Sequence, residues 1–555
     1  MCAMPLHQSL KTPLEMLYHW EATSPNKVYL RQPYPSKGYT EITYQEAMSQ
    51  IRKVAAALKA KGFPPGSHIA LASKNCAHWM MADFAIWMAG YVSVPLYPNL
   101  TQSSIREILK HSECRLVFLG KLDDPKLYRE AVPKDLPTIA FPYHEFSQAE
   151  KWEHLIANTP AMHANPNRAM SELATIIYTS GTTGEPKGVM HPFSSFANAA
   201  NGILSVLDVN PSDRFFSYLP LAHVAERVLV ETCSLYAGSS VSFAESLDTF
   251  QANLQSVKPT VFLSVPRLWQ KFQGGILAKV PQKKLSLLLK LPVISGLIKK
   301  KIKTGLGLQE ARYLVTGAAP TPPSLLEWFR KIDLNIGEAY GMTENFAYSH
   351  FNRPGKEKIG TVGESWPLVQ TRIAEDGEIQ IQTPCDFRGY YKSQSKRTEF
   401  FDGGYFKTGD RGEIDSEGYL KITGRTKDLF KTSKGKYVAP SPIESKIATC
   451  SHLEAVCVVG ANLSQPLALA VLSQSAQNTE PSVVKSELEQ CLDEVNAALD
   501  PHEKVARIIL VRDPWTVESG AITPSMKVKR NEIEARYGQF FDKWASETEK
   551  VSWES

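Results

Sequence analysis

The chain has 555 residues, a hydrophobic content of 43%, a charged content of 21% and a formal net charge of +5. That length exceeds one ordinary hydrophobic core, so two or more domains are expected, and the composition is that of a globular protein. The small net charge, with no recognisable basic module, argues against a nucleic-acid partner.

The N-terminal stretch MCAMPLHQSLKTPLEMLYHW lacks the apolar h-region of a secretory signal, and no apolar run reaches the roughly 20 residues of a membrane-spanning helix. A cytoplasmic protein is expected. YQEAMSQIRKVAAALKAKG has apolar residues at three- and four-residue spacing and ends in Gly62, predicting an amphipathic helix. HIALASKN follows as a short strand, then a helix through MADFAIWMAG, then the apolar run YVSVPLY. This alternation predicts largely parallel sheets covered by helices. The polar, proline-containing residues 157–172 read as a loop before a strand LATIIYTS. Residues 276–303 mix leucine-rich turns with lysine and contain no acidic residue. Two readings stay open there: peripheral contact with the anionic inner face of a membrane, or a helical pair with an apolar core side and solvated lysines.

After about residue 360, stretches such as GEIQIQTP and GEIDSEGYLKITG predict short antiparallel strands joined by Asp-Gly and Glu-Gly turns. From about residue 426, strands such as EAVCVVGA and ARIILVR mix with the helix VVKSELEQCLDEVNAAL, a small α+β unit of ordinary domain size. The eight cysteines form no CxxC pair and no metal-ligand spacing, so neither a disulfide framework nor a zinc site is expected. Their apolar settings suggest buried thiols in a reducing compartment.

The strongest local signal is IIYTSGTTGEPKGVMHPF, residues 176–193. A strand runs into Thr179, Ser180, Gly181, Thr182, Thr183 and Gly184, with Lys187 behind. Glycines let the backbone approach a ligand, hydroxyls and free N–H groups cradle phosphate oxygens, and the lysine adds a cation. A Walker-type loop is excluded, because it needs glycine immediately before the lysine and Pro186 stands there.

YTSGTTGEPKGV resembles the signature of the adenylate-forming superfamily, and further segments match in order. VTGAAP, with Gly317, Ala318, Ala319 and Pro320, resembles the adenine-side segment. EAYGMTEN runs through Glu338, Ala339, Tyr340, Gly341, Met342, Thr343 and Glu344 and resembles the motif that stacks a tyrosine on adenine and serves phosphate and magnesium. YFKTGDRGEID supplies Asp410, and GRTKDLFKTSKGKYVAPSPIE resembles the interdomain hinge. TPSMKVKR resembles the segment with the catalytic lysine, and LPLAHVAERV one found in long-chain acyl-CoA synthetases.

The resemblance implies an α/β N-terminal domain of helix-covered sheets over residues 1–425, and a small mobile α+β domain over 426–555. It implies an ATP-dependent long-chain fatty acid–CoA ligase: fatty acid and ATP give acyl-adenylate and pyrophosphate, then CoA gives acyl-CoA and AMP. Glu344 would hold Mg²⁺ and Thr343 would bond the α-phosphate. Asp410 and Arg425 would clamp the ribose, and Lys527 would reach both reacting anions. Lys427 lies at the hinge, Gly435 would line the CoA path, and His223 falls near the reaction centre with no derivable role. Met526 stands where many relatives have glycine, which leaves a surface basic run as the plain alternative for MKVKR. Three other functions stay open: an acyl-AMP ligase loading a carrier protein, a medium-chain or aryl acid–CoA ligase, and a non-catalytic relative. No serine-bearing carrier helix is present in the sequence, which points to free CoA.

Overall fold

The computed structural model describes residues 10–34, 38–144, 146, 148–180, 186–394, 397–450 and 452–554. The early alternation folds as expected. Thr43 caps the helix Tyr44–Ala60: its Oγ1 accepts from Glu46 N at 3.2 Å, while Thr43 N donates to Glu46 Oε2 at 2.8 Å. The helix turns Met48, Ile51, Ala55 and Leu58 inward, and Gly62 ends it at φ +68°. The next helix, Ala77–Met88, is buried at every position, as an all-round apolar helix must be.

A seven-stranded sheet runs Glu150–Lys151, Thr138–Ala140, Leu116–Leu119, His68–Ala72, Val92–Leu96, Leu173–Ser180 and Pro186–Pro192, parallel except for the last strand. In a nine-stranded sheet, Ile336–Tyr340, Tyr313–Thr316, Val261–Ser264, Arg214–Ser217, Ser240–Phe243 and Val28–Tyr34 are parallel neighbours, and antiparallel strands close both edges. Ser264, Thr316 and Tyr340 thus lie together at carboxyl ends of parallel strands, where open α/β sheets place their ligands. Gln370–Ile373, Glu378–Gln382, Tyr405–Ile414 and Leu420–Arg425 form the expected antiparallel sheet, with turns at Gly377 (φ +85°) and Gly418 (φ +88°).

Beyond it, Leu453–Val459, Leu467–Leu472, Arg507–Leu510 and Val551–Trp553 make a four-stranded sheet. Val484, Leu488, Leu492 and Val495 of the helix Pro481–Ala497 are buried with it. The two apolar clusters here draw only on residues from Phe430 onward, so this unit has its own core. No helix among the described residues is long and apolar enough to cross a membrane.

One expectation fails. Cys450 and Cys491 form a disulfide, with Cα atoms 6.2 Å apart, linking the end of the helix Pro440–Ile447 to the helix Pro481–Ala497. Forty-one residues separate the two in sequence, and only the packing of these helices brings them together. Cys76, Cys114, Cys233, Cys385 and Cys457 are free and buried, but the disulfide removes the cysteines as an argument for a reducing compartment.

Candidate functional site

The strands Leu173–Ser180 and Pro186–Pro192 pair so that Thr179 lies opposite Lys187. Gly181, Thr182, Thr183 and Gly184 lie outside the described residues. Lys187 Nζ stands 5.6 Å from the centre of the Tyr390 ring, and Tyr390 Oη donates to Glu344 Oε1 at 2.8 Å. Glu344 is carried on the single turn Thr343–Asn345. Met342 N donates to Asn345 Oδ1 at 2.9 Å, and Ala347 N to Met342 O at 2.9 Å. A Cβ on Gly341 would fall 2.7 Å from the Ala347 backbone, so the turn closes only over glycine. His191 Nε2 lies 2.6 Å from Thr343 O. Burial pushes the His191 pKa down to about 3, so the ring is neutral and donates from Nε2.

Register builds the second half of the site. Asp410 and Arg425 are direct partners across antiparallel strands, and Arg425 Nε donates to Asp410 Oδ1 at 2.8 Å. Tyr340 Oη donates to the other oxygen, Oδ2, at 2.7 Å. An ionised carboxylate has about four acceptor positions, so two remain for a ligand. Asp410 first, then burial and the hydrogen bond, set the balance that raises the Arg425 pKa.

Lys527 comes to this group from the C-terminal unit. Desolvation and Arg425 lower its pKa, and Asp410 and Glu344 raise it. The net effect is a lowered Lys527 pKa, with burial the largest cause. The lysine sits on a closed turn: Thr523 N donates to Lys527 O and Met526 N to Thr523 O, both at 2.8 Å, and Lys527 N to Thr523 Oγ1 at 3.0 Å. Met526 takes φ +64°, a conformation that glycine adopts without strain. From the large sheets, Asn99 Nδ2 donates to Pro524 O of this turn at 2.9 Å.

His223 also senses Lys527. Burial first, and Lys527 second, push its pKa down to about 4, and its Nδ1 accepts from Ala225 N at 3.2 Å. Its neighbours Glu226 and Arg227 are buried. Glu226 Oε1 accepts from Ser217 Oγ at 2.8 Å, Tyr218 N at 3.1 Å and Asn75 Nδ2 at 3.1 Å. Arg227 is wholly buried, 2.5 Å from Asp83 and 3.1 Å from Glu231, among the rings of Trp79, Trp87 and Phe196. These contacts fix the π-helical turn Arg227–Thr232.

After the strand Tyr313–Thr316, Ala318, Ala319 and Pro320 are exposed, and Gly317 N donates to Ser264 O at 3.3 Å. A Cβ on Gly317 would come within 3.1 Å of Ala339 O, which keeps the two strand ends close. Glu338 turns inward, where Thr321 N donates to its Oε1 at 2.9 Å, and burial raises its pKa to about 7. Lys427 is exposed in the turn after Arg425. Gly435 turns the hairpin of Phe430–Lys431 and Tyr437–Val438 at φ +79°, its N–H bonded to Thr432 O within that hairpin. Tyr390, His191 and Asn99 were not singled out from sequence, because each acts on a partner at least 46 residues away.

The chain matches the model of the AMP-binding enzyme family over residues 17–391 and that of the AMP-binding enzyme C-terminal domain over 427–549. It is similar to long chain acyl-CoA synthetase 2 of Arabidopsis thaliana, at 30% identity over 92% of this chain and 88% of that one. It is similar also to the long-chain-fatty-acid–CoA ligase FadD15 of Mycobacterium bovis, at 28% identity over 94% and 95%. Its fold is that of the adenylation domain of a carboxylate reductase from Mycobacterium chelonae, with TM-score 0.82 at 21% identity, covering 98% and 92% of the two chains. With these matches along nearly its whole length, the chain belongs to the AMP-binding enzyme family.

Proposed function

We propose that the protein is an ATP-dependent long-chain fatty acid–CoA ligase working in two steps through an acyl-adenylate. The observation that carries this reading is the match of the chain to both AMP-binding enzyme models, with Pro524 of the Lys527 turn accepting a hydrogen bond from Asn99 of the large sheets. The relatives named as long-chain ligases supply the substrate class.

In the first step a carboxylate attacks the α-phosphate of ATP, and two anions must be brought together. Lys187 and the hydroxyls from Thr179 to Thr183 bind the distal phosphates, and Thr343 bonds the α-phosphate. Asp410, aligned by Tyr340 and Arg425, accepts from the ribose hydroxyls, and Gly317 to Pro320 with Tyr340 flank the base. Lys527 bridges the carboxylate and the α-phosphate. His223, kept neutral, borders the acyl carboxylate without adding charge. The donors fit Mg²⁺ arriving with ATP: this ion takes one or two carboxylates and completes its shell with phosphate oxygens and water. Glu344 is such a carboxylate, oriented by Tyr390 through one oxygen, and no cluster of three His, Cys, Asp or Glu ligands stands among the described residues. When bound, Mg²⁺ would neutralise phosphate charge.

Release of pyrophosphate frees the C-terminal unit, residues 426–555, to turn at Lys427 against residues 1–425. Lys527 then leaves, and the Gly435 hairpin borders the path of CoA. The working location is the cytoplasm, with peripheral contact at the inner membrane face through residues 276–303. The test is product analysis over acids of graded length, with Mg²⁺ and with or without CoA. Long-chain acids should give AMP, pyrophosphate and acyl-CoA. ADP with phosphate, or acyl-CoA formed only from short or aryl acids, would overturn the reading.

A further inference from the structure

The helix Pro266–Lys279 buries Trp269, Phe272 and Ile276 in a core that also holds Leu254 and Phe329. A helix of about 3.6 residues per turn then directs Arg267 and Gln270 away from that core, and both reach the C-terminal unit. Gln270 Nε2 donates to Ala448 O at 3.0 Å, and Arg267 Nη2 pairs with Glu454 Oε1 at 2.7 Å. Ala448 ends the helix Pro440–Ile447. The last carbonyls of a helix find no donor within it, so Gln270 supplies from the N-terminal side what the helix cannot supply itself.

That helix leads to the lysine. Its Glu444 accepts from Arg530 Nη2 at 2.6 Å and from Val458 N at 2.7 Å. Arg530 follows closely on Lys527 and opens the helix Arg530–Tyr537. The Cys450–Cys491 disulfide ties the end of the helix Pro440–Ile447 to the helix Pro481–Ala497. Arg530 and Glu444 are only 15% and 19% exposed, so separating them would strand charge in a poorly hydrated place. A hold on Ala448 is therefore a hold on the turn that carries Lys527.

We propose that Arg267 and Gln270 are positioning residues that hold the C-terminal unit in the adenylating arrangement and let go for thioester formation. The proposal rests on the two-step ligase reading and adds to it the contacts that set the balance between the steps. Neither side chain has a part in binding phosphate or ribose. Their helix starts just after the strand Val261–Ser264, where Ser264 O accepts from Gly317 N at 3.3 Å and Ser264 Oγ from Tyr218 Oη at 2.9 Å. The hold thus begins beside the segment assigned to the base. Its strength suits a contact that breaks in every cycle. Arg267 is 50% and Glu454 40% exposed, and such pairs contribute little, while the half-buried Gln270 bond contributes more.

If K is the ratio of held to released molecules, adenylation scales with the held fraction and thioester formation with the released one. The ratio of the two rates is then proportional to K. Gln270→Ala removes one hydrogen bond, and the ratio of adenylation to thioester formation from supplied acyl-adenylate should fall roughly fivefold. Arg267→Glu sets two carboxylates face to face and should lower the ratio likewise. Arg267→Glu with Glu454→Arg should restore it. Trypsin cleavage at the exposed Lys427, mapped by mass spectrometry, follows the released population and is read without turnover. Failure of the hold and failure of the ligase reading are therefore told apart. Both single variants should be cut there faster than wild type, with circular dichroism unchanged. Equal cleavage, an unchanged ratio in Gln270→Ala, or a charge swap no closer to wild type than Arg267→Glu alone would overturn the proposal.

Discussion

Burial sets the charge state of the side chains beneath the cleft. His191 and His223 are held neutral, and Glu226 is pushed the other way, to a pKa of about 8 against an ordinary 4.5. Folded protein thus keeps a proton that the unfolded chain gives up, and stability falls as pH rises from about 4.5 to about 8. Glu226→Gln keeps the oxygen that accepts from Ser217, Tyr218 and Asn75 and removes the titration. The melting temperatures of wild type and Glu226→Gln should lie close near pH 5 and separate toward pH 8, where the variant becomes the more stable by a few kcal/mol. Parallel curves across that range would show that Glu226 is ionised in the folded protein. Its position in HVAER gave no hint of this, because the three donors come from a strand end and a loop that only folding brings near. Glu344, Asp410 and Lys527 were legible because each sits inside a contiguous motif. Tyr390, which orients Glu344, was not, since a tyrosine in a loop carries no local signal of what it meets.

At the scale of elements, pairing register does much of the positioning. Asp410 and Arg425 face each other because a turn of five residues, 415–419, joins their strands, and the Glu-Gly signal in that turn was readable in sequence. The lysine-bearing turn depends instead on a distant residue. Asn99, after the strand Val92–Leu96, donates to Pro524 O and is exposed, so it ties the turn to the large sheets without supporting their core. Losing one such hydrogen bond is worth about 1 kcal/mol. Asn99→Ala should therefore lower kcat for adenylation roughly fivefold. KM for ATP, thermal stability and the rate of thioester formation from supplied acyl-adenylate should stay near wild type. An equal fall in both half-reactions would make Asn99 a general structural residue.

For the whole molecule, β/α alternation followed by antiparallel hairpins and a small α+β unit was readable from periodicity and turn residues. The Cys450–Cys491 disulfide was not, because the spacing of cysteines carries no information about which helices pack together. Nor was the solvent exposure of Leu287, Leu291 and Leu297, since leucines that face solvent and leucines that face a core have the same periodicity. The resulting arrangement joins a cleft on strand ends to a lysine delivered by a separately cored unit. We propose that Lys527 serves adenylation and then withdraws. Lys527→Ala, checked for folding by circular dichroism, should be assayed in both half-reactions on one preparation. Acyl-adenylate formation from ATP and fatty acid should fall by several orders of magnitude, with kcat falling more than substrate binding weakens. Conversion of supplied acyl-adenylate and CoA to acyl-CoA should stay near the wild-type rate. Equal loss in both half-reactions, or full adenylation activity in the variant, would contradict it.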